Sequence, residues 1–129
     1  MIAAHRRTNI EGLELLGSPA RFSLEVPAAA VLDSVWRGVR AQDRAPLAVI
    51  AETYRAERSA DAVVWRYGNR VSTSFVAALV TTERDGRTEA ELRFREAREV
   101  NGVIEGVAVM RALRHDVERT LALLAPTEG

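Results

Sequence analysis

The 129-residue sequence contains no cysteine and only two histidines, which limits the chemistry open to it. Without thiols there is no disulfide framework, no thiol nucleophile and no thiolate metal site. A metal would have to rest on His5, His115 and carboxylates, but the two histidines are far apart and neither sits in a metal-binding pattern. Motifs for nucleophilic catalysis and phosphate binding are absent as well. We therefore expect no metal and no cofactor, and the catalytic residues, if there are any, are unknown.

An excess of charge and long apolar runs are also missing. The 18 basic and 18 acidic residues cancel, so the chain as a whole lacks the positive field that nucleic acid phosphates require. The longest apolar run, Phe75 to Val80, is far shorter than the roughly 20 residues of a membrane span, and residues 1–7 lack the apolar core of a signal peptide. The sequence predicts a cytoplasmic protein that binds no nucleic acid and spans no membrane. Its basic residues are all arginine, which is typical of GC-rich bacterial genomes.

The residues that are present favour one compact domain. Hydrophobic residues make up 47% of the chain and charged residues 28%, a balance that excludes a disordered tail. No linker, repeat or low-complexity tract divides the sequence, and its length is close to the usual domain size. We predict a single domain over residues 1–129, with the first eight residues frayed.

Hydrophobic periodicity predicts the elements of the first half. A short edge strand is expected over Ile10–Leu16, and strict alternation predicts a second strand over Arg21–Val26. Apolar residues then recur at helical spacing, which predicts a helix over Pro27–Ala41. Proline suits the first position of a helix, so Pro27 marks its start. Leu47–Glu57 is ambiguous and slightly favours a strand, whereas Ala62–Tyr67 is rich in valine and aromatic residues and is typical of a strand.

The strongest local prediction is a hairpin that turns at Asp85-Gly86. Two long strands, Val71–Thr82 and Thr88–Val100, flank this turn, and a two-residue turn fixes their register. One face then carries the core residues Phe75, Ala77, Leu79, Ala90, Leu92 and Phe94. If the alternation of the strand continues beyond Phe94, Glu96 and Arg98 lie on the same face.

The last element is an amphipathic helix predicted over residues 103–125. It follows the Asn101-Gly102 break, and Pro126 ends it. Its apolar stripe can leave water only by lying on the sheet. Two-layer packing of this kind places the chain in the α+β class, with a curved antiparallel sheet around a long C-terminal helix and one further helix after the first core strand.

The register at Gly68-Asn69 stays open at this point. A strict two-residue turn places Val64 and Arg66 on the same side as Phe75 and sends Trp65 and Tyr67 to the opposite face. A bulged turn reverses the two sides. In the strict case, the aromatic residues join Val76, Ala78 and Val80 in an apolar patch, which predicts a homodimer.

The order of elements resembles the START-like, or SRPBCC, helix-grip superfamily, which includes bacterial polyketide cyclases and lipid-transfer proteins. The segments that carry the resemblance are residues 22–31, residues 63–68, the turn at residues 83–88 and the closing helix. The resemblance implies a sheet that curls around the last helix and leaves a cavity for an apolar or aromatic molecule. This chain would be a shortened version, with fewer residues between the first helix and the later strands.

The predicted function is binding of a small apolar or aromatic ligand between sheet and helix, with cyclase-like chemistry permitted by the resemblance. Five residues would form the apolar wall: Phe75, Leu92, Phe94, Met110 and Leu113. Glu96 and Arg66 would supply polar anchors, and burial beside a cation would tune the carboxylate. The alternative is a noncatalytic interaction or self-association module with a packed interior.

Overall fold

The structure is a computed structural model that describes residues 2–40, 53–68 and 72–124. Its elements in chain order are α1 (Ile2–Gly17), β1 (Ala20–Leu24), α2 (Ala28–Arg40), β2 (Thr53–Arg58), β3 (Ala62–Gly68), β4 (Thr73–Arg84), β5 (Arg87–Arg95), β6 (Glu99–Val100), β7 (Val103–Ile104) and α3 (Val107–Ala122). Strands β1 to β5 form one antiparallel sheet in the order β1-β5-β4-β3-β2, and β6 pairs with β7. The predicted α+β class is confirmed.

One face of the sheet, which we call the inner face, packs against the helices. Leu79 and Phe94 on this face belong to the same core cluster as Leu15 of α1, Leu32 of α2 and Leu113 of α3. The apolar stripe of α3 therefore lies on the side of the sheet that the hairpin register predicts. None of the described helices combines the length and the apolar character needed to cross a membrane.

The hairpin of β4 and β5 has the predicted register. Arg84 pairs with Arg87 and Leu79 with Leu92 along the two strands. Asp85 and Gly86 both adopt positive φ, 52° and 77°, as a two-residue turn with the right twist for a hairpin requires. A turn of this kind leaves no freedom in the pairing that follows, so the inner and outer positions of both strands are fixed together.

The pairing of β3 with β4 contains a bulge, so the bulged alternative is the observed one. Gly68 pairs with Thr73 but Tyr67 pairs with Phe75, which leaves Ser74 as the extra residue on β4. The Ser74 carbonyl accepts a hydrogen bond from the Arg98 N–H at 2.7 Å instead of joining the ladder. If the pairing of Gly68 with Thr73 continued without an extra residue, Arg66 would pair with Phe75. The bulge prevents this pairing.

The start of the chain differs from the prediction. The prediction of an edge strand over Ile10–Leu16 is wrong, because helix α1 covers this segment. Long-range contacts hold the helix in place: the Ile104 N–H donates to the Asn9 side-chain carbonyl at 3.0 Å. Of the ambiguous segment Leu47–Glu57, residues 53–57 form part of strand β2, and residues 47–52 lie outside the described residues.

The end of β5 and the start of the last helix also differ from the prediction. β5 ends at Arg95, because Glu96 adopts a left-handed φ of 55° and turns the chain out of the sheet. Residues 99–104 then form the β6–β7 hairpin, and α3 begins at Val107 rather than at residue 103. Its 16 residues span about 24 Å, shorter than predicted.

Candidate functional site

The five predicted wall residues lie together in the core. Phe75, Leu92, Phe94, Met110 and Leu113 are between 0% and 5% exposed and belong to one cluster of contacting side chains. Leu92 and Phe94 project from β5 onto the inner face, and Met110 and Leu113 are buried residues of α3. All five side chains are thus buried among the apolar residues of one core, with almost no accessible surface.

Three aromatic rings, which we call the aromatic cluster, lie at one end of this core. The Phe75 ring lies 5.3 Å from the Tyr67 ring and 5.8 Å from the Phe94 ring, measured between centroids, and the second pair is edge to face. Gly106 precedes α3 with a φ of 76°, and a Cβ there would lie 3.1 Å from the Phe75 ring. Tyr67 is half-buried and was not among the predicted site residues, because its side depends on the register at Gly68.

The two predicted polar anchors do not join the apolar wall. Arg66 pairs with Val76 on the outer face of the sheet, opposite to the side that holds Phe75, and its side chain is exposed. The bulge at Ser74 is the physical reason, because it shifts the alternation of β3 by one position relative to β4. Glu96 is exposed beyond the end of β5, where its left-handed backbone takes it out of phase with Phe94.

Two buried residues of β4 form the apolar floor of the outer face. Val76 is 1% exposed and Ala78 is 5% exposed, yet neither belongs to the core cluster. The register places Arg66 of β3 and Arg95 of β5 on either side of Val76. Arginine stems in such positions cover apolar surface while their guanidinium groups stay in water. The outer face therefore presents charge above an apolar floor, and Val80 is its most exposed apolar residue at 42%.

A groove of about 460 Å³ crosses the β1, β5 and β4 part of this face, lined by Arg21, Val80, Thr82, Glu89, Ala90, Glu91, Arg93 and Arg95. Glu91 organises it, since its carboxylate pairs with Arg93 and accepts a hydrogen bond from the Arg21 Nε at 3.2 Å. The hydrogen bond from Arg93, aided by the charges of both arginines, holds the pKa of the Glu91 carboxyl below its ordinary value. Glu91 is thus an ion-pair partner at neutral pH.

Metal chemistry has no support from the part of the chain that the structure describes. Residues 2–40, 53–68 and 72–124 contain no group of three His, Asp or Glu side chains that could hold an ion. His115 is exposed on α3 and borders a groove of about 620 Å³ together with Glu11, Glu14 and Glu118. Ser18 lines the same groove, but among the described residues no hydrogen bond joins its hydroxyl to His115.

Solved structures with a similar fold are known, although no protein-family model and no curated protein matches the chain. The Aha1 dimer from Colwellia psychrerythraea has a TM-score of 0.55 at 8% identity, covering 86% of this chain and 97% of that chain. CalU16 from Micromonospora echinospora gives 0.44 at 12% identity, covering 84% and 88% of the two chains. The di-domain ARO/CYC protein BexL gives 0.28 at 16% identity, covering 95% and 56%. The similarity to Aha1 concerns the fold alone, and it confirms the helix-grip arrangement of sheet and helices expected from the sequence.

Proposed function

We propose that this chain is a noncatalytic interaction module that binds a macromolecular partner through the outer face of its sheet. The observation that carries the proposal is the composition of that face: a shallow charged groove beside exposed Val80, over an apolar floor. A broad, shallow surface with apolar and arginine contacts suits a protein interface better than a small ligand, which prefers an enclosed pocket. The burial of the five wall residues agrees with this proposal, because they offer almost no accessible surface to a ligand.

Two surface variants of equal charge change test the proposal. Val80→Asp alters the centre of the outer face, whereas Leu123→Asp alters an 84% exposed residue just after α3. Both variants should fold, because the substituted side chains project into solvent. A partner captured from the host by the wild type should be retained by Leu123→Asp and lost with Val80→Asp. A partner that both variants retain, or that both lose, would contradict the proposal.

The second candidate function is binding of a small apolar or aromatic ligand in the interior. The aromatic cluster favours it, because the half-buried Tyr67 ring packs against the Phe75 ring and leaves part of an aromatic surface open at the edge of the core. A cyclase-like reaction would require such binding, so an experiment with a ligand probe is the first test of ligand binding and of that reaction. Native mass spectrometry and 8-anilinonaphthalene-1-sulfonate fluorescence should show a bound molecule in the wild type and a weaker signal in Tyr67→Ala. The absence of any adduct or fluorescence would remove this candidate.

The homodimer remains a prediction with a changed physical basis. Trp65 and Tyr67 lie on the inner face and do not contribute to the outer apolar patch, which leaves Val80 as its exposed member. The similar Aha1 structure is that of a dimer, so we retain self-association as a proposal for this chain. Light scattering at micromolar concentration decides it, and a monomeric mass would count against it.

A further inference from the structure

The geometry points to an acidic segment of a partner protein as the occupant of one end of the outer face. Three residues, which we call the arginine row, would bind it: Arg55 of β2, Arg66 of β3 and Arg95 of β5. The inference rests on the proposed function and adds the chemical class of the partner. It assigns to Arg66 a place in an external binding surface.

The sheet register places the arginine row in a line across four neighbouring strands. Arg55 pairs with Arg66, Arg66 with Val76, and Val76 with Arg95. Directly paired residues share a face, so all three guanidinium groups belong to the outer face. Because neighbouring strands lie about 4.8 Å apart, the row spans roughly 14 Å. That span is comparable to a few residues of an extended peptide.

The three guanidinium groups have no acidic partner within residues 2–40, 53–68 and 72–124. Other arginines on the same face do have one: Arg21 and Arg93 pair with Glu91. Moreover, Arg55 and Arg66 stand directly opposite each other, and like charges in this arrangement destabilise a sheet. A partner that supplies carboxylates would remove this repulsion and form hydrogen bonds with each guanidinium fork.

The balance of charge on the whole outer face also favours an acidic partner. The outward positions of the five strands and of the residue after β1 hold seven arginines and four glutamates, although the chain itself is neutral. A second copy that docked through the same face would bring two positive surfaces together, because a two-fold interface pairs each patch with itself. Self-association through this face is therefore disfavoured, and the homodimer proposed above would have to form through another surface.

The pattern of charge on the outer face favours a protein partner over a uniformly anionic partner such as a membrane or a nucleic acid. Glu57 lies one row from the arginines, and Glu89 lies farther along β5, so a membrane or a nucleic acid would meet repulsion beside the attraction. The described aromatic side chains of the sheet, Phe22, Trp65, Tyr67, Phe75 and Phe94, all share the inner face, which leaves them unable to stack on bases. A peptide with patterned charge can match both signs.

Fluorescence polarisation with a labelled hexaglutamate peptide tests the inference on the full chain. The double variant R66E/R95E should weaken binding roughly tenfold or more, since it replaces two attractions by two repulsions. The control R37E/R111E makes the same change in net charge on two exposed arginines of α2 and α3, and it also removes the ion pair of Arg111 with Glu11. It should bind the peptide as the wild type does.

Two outcomes would overturn the inference: no binding of the peptide to the wild type, whether or not vesicles of anionic phospholipid bind, and equal weakening in both double variants. If the peptide fails while a host partner still depends on Val80, the outer face remains functional and only the acidic class is wrong. A further variant guards against loss of folding. Arg66→Gln relieves the repulsion with Arg55, so its melting temperature should equal or exceed that of the wild type while its peptide affinity falls.

Discussion

Substitution of Leu92 by alanine tests whether the interior is filled. Leu92 is 1% exposed and stands opposite Leu79 in the middle of the hairpin. The substitution removes three carbon groups, and at about 0.8 kcal/mol each the loss of burial alone costs about 2.4 kcal/mol. The cavity left behind adds to this loss, so the expected destabilisation is about 3–4 kcal/mol, within the range for Leu→Ala in filled cores.

This loss of stability is measurable by urea and thermal unfolding monitored by circular dichroism. At about 2.1 cal/mol/K per residue, unfolding of 129 residues has an entropy near 0.27 kcal/mol/K, so about 3 kcal/mol corresponds to a fall of about 11 °C. Val80→Ala is the control on the opposite face of the neighbouring strand. Its side chain is 42% exposed, and it should cost less than about 1 kcal/mol.

A loss below about 1 kcal/mol for Leu92→Ala would refute the reasoning. Such a small effect means that the side chain already borders empty volume and has few contacts to lose. The interior would then be partly hollow, and ligand binding would become the better function. An equal loss for Leu92→Ala and Val80→Ala would likewise contradict the assignment of the two faces.

Three further predictions concern the bulge, a buried hydroxyl and the outer groove. Gly68→Ala should cost about 1–3 kcal/mol, because its Cβ would lie 2.3 Å from the Ser72 carbonyl oxygen, and chemical denaturation measures the loss. Thr88→Val should cost about 1–3 kcal/mol, because the fully buried hydroxyl donates to the Val26 carbonyl at 2.6 Å and its loss leaves that oxygen unpaired. Glu91→Gln should lower the urea midpoint at neutral pH, and its difference from the wild type should disappear in acid. The pKa of this carboxyl is lower in the folded state than in the unfolded state, so its contribution is complete above the unfolded pKa and is lost as pH falls through the folded pKa.

Each of these predictions has a control. Gly17→Ala adds a Cβ with nothing within 4 Å, so it should not destabilise the fold as Gly68→Ala does. Thr82→Val removes an exposed hydroxyl from the outer face and should leave the unfolding midpoint nearly unchanged. For Glu91, the control Glu14→Gln replaces an exposed carboxylate of α1 and should leave the urea midpoint at neutral pH nearly unchanged. A steady difference between Glu91→Gln and the wild type down to low pH would contradict the ion-pair assignment.

Local turn chemistry explains why the hairpin of β4 and β5 could be predicted in full. Asp85-Gly86 accepts positive φ at both positions, and alternation then settles which side chains face the core. The inner positions of Leu79 and Leu92 follow from residues only a few positions away. The same reasoning predicted α2, where Pro27 precedes the first turn and the apolar spacing is regular.

The rest of the candidate site depends on geometry without a local signal. Ser74 is an ordinary strand residue, and nothing in its identity announces a bulge, so the sides of Arg66 and Tyr67 could not be decided from the sequence. Glu96 adopts a left-handed backbone that a non-glycine residue rarely takes, and this ends β5 earlier than alternation predicts. Helix α1 was missed because tertiary contacts, such as that of Asn9 with Ile104, stabilise it.

The extra residue in β4 shows that the number of residues in a strand can decide which side chains face the core. Were the pairing of Gly68 with Thr73 to propagate unaltered, the indole of Trp65 would turn to solvent and a guanidinium would enter the core, with no side chain replaced. The charge of the outer face therefore depends on the number of residues in β4 as much as on which residues they are. Anyone transplanting this sheet into another scaffold would have to preserve Ser74 as a spacer before choosing the surface residues.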